Sequence, residues 1–182
     1  MCAIDVESNG LHGQPFAVGA VILDGDLLVS TYVDRCPIDA PVDPWVQANV
    51  LAAVQDMPET SPDYKTMLGN LRHWRETTVA DVPLIAHVGW PVEARLFADA
   101  YGHDPELAFS GPYPLHELAS MLLLTGEQPD SADAYLAKYG ITKPPGREHN
   151  PVYDAFCTAL VAQHLLARFA RSPSPGVADA PR

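Results

Sequence analysis

Two carboxylates open the sequence, at Asp5 and Glu7. They fall on or just after an apolar run, residues 3–6, that predicts a β-strand, and side chains two positions apart point to the same face of a strand. Carboxylates on an otherwise apolar strand cost free energy unless something binds them, and hard divalent cations such as Mg²⁺ and Mn²⁺ take carboxylate oxygens. The pattern predicts a metal site, although an isolated Asp-x-Glu is more often a solvated strand edge.

A histidine and an aspartate flank the start of the last predicted helix, residues 151–171. Pro151 suits the first turn of a helix, so Asp154 falls within that turn and His149 lies on the preceding loop. A histidine on a loop beside a metal-binding carboxylate can deprotonate an attacking water. Taken alone, the motif also fits an ordinary helix cap followed by a surface histidine.

The third motif is Glu93, which follows a short apolar strand predicted at residues 82–86. It lies in the first turn of an amphipathic helix predicted from Pro91 to Tyr101. A glutamate at such a position is usually a favourable partner of the helix dipole. Glu93 therefore indicates a metal ligand only in combination with the other two motifs.

In this order and at these separations, the three motifs resemble those of the DEDDh exonucleases, a ribonuclease-H-like family of 3′-to-5′ exonucleases. The resemblance covers residues 3–171: an Asp-x-Glu with Gly-Leu shortly after, an apolar strand ending in His87 before an acidic helix, and His149 followed by Asp154. A looser likeness, in residues 45–51 and in Val88-Gly89, is to small bacterial 3′-to-5′ exoribonucleases of this family.

The resemblance implies two divalent cations as cofactors, Mg²⁺ or Mn²⁺. Asp5 would bridge both ions, and Glu7 and Asp154 would complete the tighter site. Glu93 would hold the looser ion directly or through water. His149 would act as the catalytic base that takes the proton from the attacking water.

The implied substrate is the 3′ end of a single-stranded nucleic acid, cut to nucleoside 5′-monophosphates, with RNA or short oligonucleotides slightly favoured over DNA. The backbone around Ser8 and Asn9 would meet the terminal sugar, and Leu11 would wedge under the terminal base. Two basic residues near the histidine are candidate phosphate contacts. The expected substrate-binding residues are Ser8, Asn9, Gly10, Leu11, Trp90, Lys143 and Arg147.

The sequence departs from the family pattern at two positions. Glu93 stands where most of the family has Asp, which predicts reduced activity or a preference for Mn²⁺. Asn9 replaces a common Thr and can alter how the terminal sugar is bound. An alternative is a catalytically attenuated module that binds nucleic acid or a partner protein, and another is a structural domain whose acidic residues are only surface. Whether two copies form a homodimer stays open.

The remaining pattern predicts an α/β protein with a ribonuclease-H-like fold, in which helices flank a central mixed β-sheet. One exonuclease domain would span residues 1–171, and a Ser- and Pro-rich tail, residues 172–182, is expected to be disordered. Further strands are predicted at residues 17–23 and 27–33, joined at Asp24-Gly25-Asp26, and further helices at about 44–55, 62–76, 115–125 and 132–139.

Composition sets the remaining expectations. The formal net charge of -12 argues against broad attachment to phosphate backbones, unless bound cations offset part of it at the site. No segment is long and apolar enough to span a membrane, and no secretory signal opens the chain, so we expect a cytoplasmic protein. The scattered Cys2, Cys36 and Cys157 are expected to be reduced, and Trp45 and Trp74 to be packing residues.

Overall fold

A computed structural model describes residues 1–25, 27–102, 104–107 and 109–171 of the chain. Within them, five strands form one mixed sheet in the order β3-β2-β1-β4-β5. Strand β2 is antiparallel to both β1 and β3, whereas β4 is parallel to both β1 and β5. The strands are β1 Cys2–Ser8, β2 Pro15–Asp24, β3 Leu27–Arg35, β4 Leu84–Ala86 and β5 Leu115–Glu117.

Helices cover both faces of this sheet. Four of them begin after a residue whose side chain accepts a hydrogen bond from a backbone N–H of the first turn: Asp43, Asp63, Ser131 and Asn150. A short 3-10 turn, Pro105–Leu107, follows the fourth helix. The helices are α1 Pro44–Asn49, α2 Leu51–Val54, α3 Tyr64–Thr78, α4 Val92–Tyr101, α5 Leu118–Leu124, α6 Ala132–Tyr139 and α7 Pro151–Arg171.

The alternation of side chains along β1 divides the core into two layers. Ile4 and Val6 belong to an apolar cluster that includes side chains of α3 and α4. Ala3 belongs to a second cluster, built largely from α5, α6 and α7. Because Asp5 and Glu7 share the face of Ala3, the strand presents both carboxylates to the layer that contains α7.

The predicted fold class is confirmed, but two predicted helices differ from the structure. The helix predicted at 115–125 begins with strand β5, because Leu115 to Glu117 pair with β4 and only Leu118 onward is helical. The helix predicted at 44–55 is interrupted at Val50, which ends α1 and precedes α2. Asp26 of the predicted hairpin turn and the predicted disordered tail, residues 172–182, lie outside the described residues.

Three expectations from composition can be compared with the structure. Cys2, Cys36 and Cys157 are free and buried, as predicted. Trp74 packs against Tyr32, with ring centroids 4.8 Å apart, which confirms its structural role. In the described part of the chain, no helix is long and apolar enough to span a membrane.

Gly19 lets the start of α7 lie directly on the sheet. It pairs with Asp5 across the β1–β2 ladder. A Cβ atom at this position would lie 2.4 Å from the carbonyl carbon of Pro151 and 2.4 Å from the backbone nitrogen of Val152. A glycine inside a strand often marks such a close approach of another backbone segment. The absence of a side chain at Gly19 therefore brings the first turn of α7 next to Asp5.

We predict that Gly19→Ala destabilises the protein by about 1–3 kcal/mol, because the added methyl group pushes the first turn of α7 off the sheet. Denaturant unfolding measures the effect. Gly69→Ala is the matched control, because Gly69 lies within α3 with nothing within 4 Å of a new Cβ. That change should stabilise the protein by roughly 0.5–1 kcal/mol. Equal effects at the two positions would contradict the close approach at Gly19.

Candidate metal centre and active site

Three carboxylates converge where β1 meets the start of α7. Each of Asp5, Glu7 and Asp154 offers one oxygen such that all three oxygens lie within 4.8 Å of one another. Asp5 and Glu7 reach this point because they share one face of β1, and Asp154 because it lies in the first turn of α7. The structure thus brings together residues that are about 150 positions apart in the sequence.

Glu93 reaches the same cavity from the start of α4, although it lies outside that tight group of three. Glu93 is only 5% exposed to solvent. The backbone N–H groups of Val6 and of Glu93 itself donate hydrogen bonds to its carboxylate. Strand β4 ends at Ala86 and pairs with β1 only at Cys2 and Ala3, so Glu93 approaches β1 beyond the end of that pairing.

The environment of these carboxylates favours their protonated forms. Burial, followed by the charges of Glu93, Asp154 and Glu7, raises the pKa of Asp5 well above its ordinary value. Burial, with added repulsion from Asp154 and Glu93, raises the pKa of Glu7 to about 8. Burial raises the pKa of Asp154 to about 7, against the opposing effect of the His149 backbone N–H. The four groups cannot all be ionised near neutral pH without a compensating positive charge.

Burial also raises the pKa of Glu93 to about 7, against the two backbone hydrogen bonds that it accepts. Across the described residues, none of the ion pairs joins a lysine or an arginine to any of these four carboxylates. A cluster of carboxylate oxygens without a basic partner is the donor set that suits Mg²⁺ or Mn²⁺. The residues present therefore fit a divalent metal site.

His149 lies at the edge of the carboxylate cluster. Its ring nitrogen Nδ1 is 3.5 Å from Oε1 of Glu7, and its backbone N–H donates a hydrogen bond of 2.8 Å to Oδ2 of Asp154. The side chain is 38% exposed, so water and a ligand can reach the imidazole. Its φ of 66° lies in the left-handed region, which is uncommon for a residue other than glycine. The loop thus holds the imidazole beside the carboxylates by an unusual backbone turn.

The cluster opens into a cavity of about 650 Å³. Leu11 and Trp90 line it and are 67% and 72% exposed, so both present apolar surface at its rim. Ser8 and Gly10 also line the cavity, and the Ser8 hydroxyl donates to the Gly10 carbonyl over 2.8 Å. These four predicted substrate-binding residues therefore surround one opening.

Three other predicted substrate-binding residues are placed differently. The Asn9 amide donates to the Pro41 carbonyl and its oxygen accepts from the Asp43 backbone N–H, so the side chain is tied to a neighbouring loop. Lys143 forms an ion pair with Asp133 at 2.5 Å. Asn9, Lys143 and Arg147 are not among the described residues that line the cavity.

Trp45, which the sequence predicted to be a packing residue, lies instead at the cavity. Trp45 is 56% exposed and lines the cavity, so that interpretation is wrong. Its ring meets the His149 ring edge to face, with centroids 5.3 Å apart. The position after Asp43-Pro44, in the first turn of a helix, indicated a partly exposed side chain. Its proximity to His149 depends on the tertiary fold.

The raised pKa values predict how the stability of metal-free protein depends on pH. Between pH 4.5 and about 8 the folded state holds more protons on Glu7 than the unfolded state does, because folding raises its pKa from 4.5 to about 8. The free energy of unfolding must therefore fall as pH rises through this window. Thermal unfolding with a chelator present should show a midpoint that decreases between these pH values.

Glu7→Gln should reduce this decrease and raise the midpoint at pH 8, by roughly 2–4 °C for each kcal/mol of repulsion removed. The matched control is Glu106→Gln, at an exposed position of the 3-10 turn, which should leave the pH dependence unchanged. A Glu7→Gln variant with the pH dependence of the wild type would contradict the predicted repulsion.

Comparison with known proteins addresses the fold. No protein-family model matches the sequence, and no curated protein matches it. The chain is similar in structure to exonuclease X in complex with 5′ overhanging duplex DNA, with a TM-score of 0.57 and 18% identity, over 94% of this chain and 93% of that one. It is also similar to the nuclease domain of 3′hExo, a DEDDh family member bound to rAMP, with a TM-score of 0.68 and 14% identity, over 92% and 91%. The chain therefore has the ribonuclease-H-like fold of these nucleases, as its motifs predicted.

Proposed function

We propose that the protein is a metal-dependent 3′-to-5′ exonuclease that hydrolyses single-stranded nucleic acid to nucleoside 5′-monophosphates. The observation that carries the proposal is the convergence of Asp5, Glu7 and Asp154 on one point, with His149 beside them. The likeness to two nucleases, whose structures hold duplex DNA and rAMP, supports the same chemistry. The ordered motifs of the sequence support it independently.

The carboxylates would hold two divalent cations, Mg²⁺ or Mn²⁺. Bound ions of this kind stabilise the attacking and leaving oxygens of a displacement at phosphorus. Asp5, Glu7 and Asp154 would hold cations together, because one oxygen of each lies within 4.8 Å of the other two. Glu93 would serve the second position, and the hydrogen bond that its carboxylate accepts from the backbone N–H of Val6 supports this role.

His149 would take the proton from the attacking water. The candidate base must reach the water while remaining fixed relative to the carboxylates. Both conditions agree with the contacts of His149, since its ring is partly exposed and its backbone is bonded to Asp154. The hydrogen bond to Asp154 would keep the imidazole in register with the metal ligands.

The rim of the cavity suits the end of a strand better than an internal bond. Leu11 and Trp90 offer an exposed aliphatic and an exposed indole surface on which a terminal base can pack. Ser8 and Gly10 line the cavity near Glu7 and would face the terminal sugar. Because Lys143 is paired with Asp133, binding would depend on these apolar contacts and on the cations more than on basic side chains.

The site would take the 3′ ends of RNA or DNA, with RNA or short oligonucleotides slightly favoured over DNA. A strand that makes few phosphate contacts with basic residues binds with a weak dependence on salt. Base stacking on exposed aromatic rings tolerates all bases, so we expect little sequence preference.

Metal binding by the carboxylates can be measured directly. We predict that calorimetric titration with Mn²⁺ shows binding in the micromolar to millimolar range, and that Asp5→Asn removes it. Hydrolysis of an end-labelled oligonucleotide should fall with the same change by on the order of 10²–10³-fold, the scale of losing one electrostatic stabiliser of the transition state.

Asp81→Asn is the control, because Asp81 is exposed in a turn before β4. It should change neither metal binding nor hydrolysis. Wild-type protein that binds no Mn²⁺ and cleaves nothing would instead support the attenuated module that binds nucleic acid or a partner.

The role of His149 has its own test. His149→Asn should reduce kcat about 10²–10⁴-fold, because it removes the base, while Mn²⁺ binding is retained. Asparagine is chosen because it tolerates the left-handed backbone of this position better than most residues. His73→Asn, at an exposed position of α3, is the control and should be fully active. A His149→Asn enzyme with unchanged kcat would rule out the histidine as base.

A further inference from the structure

We propose that Trp45 is a positioning residue for the catalytic base, and that it holds the His149 imidazole over Glu7. This inference rests on the proposed function, because His149 acts as a base only if the protein hydrolyses nucleic acid. The residue belongs to a unit, here called the clamp segment, that consists of α1 and α2, residues 44–54.

The first contact is between the two rings. Trp45 and His149 meet edge to face, with centroids 5.3 Å apart and planes at 85°. Aromatic pairs in this arrangement attract each other beyond the effect of the area that they bury. Together with the area that the two rings bury, this attraction favours the side-chain rotamer of His149 that contacts the indole. Nδ1 of His149 is also 3.5 Å from Oε1 of Glu7, so the imidazole contacts both the indole and the carboxylate.

The second contact ties the backbone of the histidine loop to the clamp segment. The side-chain amide of Asn150 donates a hydrogen bond of 3.1 Å to the carbonyl of Ala53 in α2. Its oxygen accepts from the backbone N–H groups of Val152 and Tyr153 at the start of α7. Asn150 therefore caps α7 and fastens the residue next to His149 to the same unit that carries Trp45.

The clamp segment is in turn fastened to the strand that carries the acidic residues. Asn9, just beyond β1, accepts a hydrogen bond of 2.7 Å from the backbone N–H of Asp43 and donates one of 3.0 Å to the carbonyl of Pro41. Asp43 caps α1 by accepting from the backbone N–H of Trp45 over 2.8 Å. This gives Asn9 a structural role, although the sequence suggested contact with the terminal sugar.

The contacts therefore form a closed circuit from Glu7 along β1 to Asn9, through Asp43 to Trp45, and through His149 back to Glu7. Such a circuit is needed because the imidazole is 38% exposed and sits on a loop, where a free side chain would sample several rotamers. A displacement of about 1 Å at a catalytic group can lower the rate about 10²-fold. Trp45 acts on the reaction through the orientation of His149.

Trp45 also lines the cavity, so a competing role is that it packs on a base of the substrate. The two roles predict different kinetics. Loss of base packing removes binding energy and raises KM, whereas loss of orientation lowers kcat. The roles also differ in their dependence on His149, because only the orienting role requires the imidazole.

The first arm of the test measures the orientation of His149 without measuring activity. In the wild type, nuclear Overhauser effects should connect the His149 ring protons to the Glu7 side chain. Trp45→Leu should abolish them, and Trp45→Phe, which keeps an aromatic ring, should retain them. Trp90→Leu, which removes another exposed indole of the same cavity, should also retain them. Persistence of these effects in Trp45→Leu would overturn the proposal.

The second arm is a double-mutant cycle on kcat with a single-stranded oligonucleotide. Trp45→Leu should lower kcat about 10–100-fold with KM changed less than about threefold, and Trp45→Phe should recover most of the loss. In the His149→Asn background, Trp45→Leu should have no further effect on kcat. An equal loss in both backgrounds, or a change confined to KM, would overturn the positioning role.

The two arms separate failure of this inference from failure of the proposed function. A wild-type protein that hydrolyses no oligonucleotide refutes the proposed exonuclease function. The nuclear Overhauser measurement in the first arm still decides whether Trp45 orders His149. An active enzyme whose His149 is ordered equally with and without Trp45 refutes only the inference.

Discussion

The repulsion among buried carboxylates at the end of β1 is the constraint around which the rest of the structure is arranged. The charges of Glu7, Glu93 and Asp154 all act on Asp5. Burial disfavours the ionised form of Asp5 even more than these charges do. Burying four acidic groups together lowers the stability of the folded state. Their assembly requires stable apolar packing elsewhere, and the two clusters on opposite faces of the sheet provide it.

Several local features follow from that requirement. Gly19 has no side chain, which lets the first turn of α7 approach Asp5 closely. The short pairing of β4 with β1 ends at Ala3, so Glu93 can reach the backbone of Val6. The left-handed turn at His149 directs its backbone N–H at Asp154. Each feature places one functional group, and the left-handed backbone of His149 does so at a local conformational cost.

Much of the acidic site could be predicted from the sequence because the rules involved are local. The two-residue period of a strand places Asp5 and Glu7 on one face, and a helix start at Pro151 places Asp154 in its first turn. The position of His149 and Glu93 beside these residues was predicted only from the order of the three motifs, which resembles that of the DEDDh exonucleases. Local rules alone do not bring distant segments together. The fold class followed from the same order of strands and helices.

The features that the sequence did not predict depend on tertiary contacts. Strand β5 is only three residues long and forms because β4 offers it a partner, so its residues carry no strong local signal. Lys143, in the loop before α7, is paired with Asp133, which lies ten positions earlier on α6. Trp45 has an apolar ring that suits a core equally well, and only the position of His149 shows that it borders the cavity.

The direction and product of hydrolysis test the central claim most directly. Short single strands of RNA and DNA, labelled at the 5′ end and carrying either a free or a phosphorylated 3′ end, would be incubated with the protein and Mn²⁺. The account predicts a ladder that shortens from the free 3′ end with release of nucleoside 5′-monophosphates, and little cleavage of the blocked strands. Cleavage of free and blocked strands at equal rates, or no cleavage of either, would contradict it.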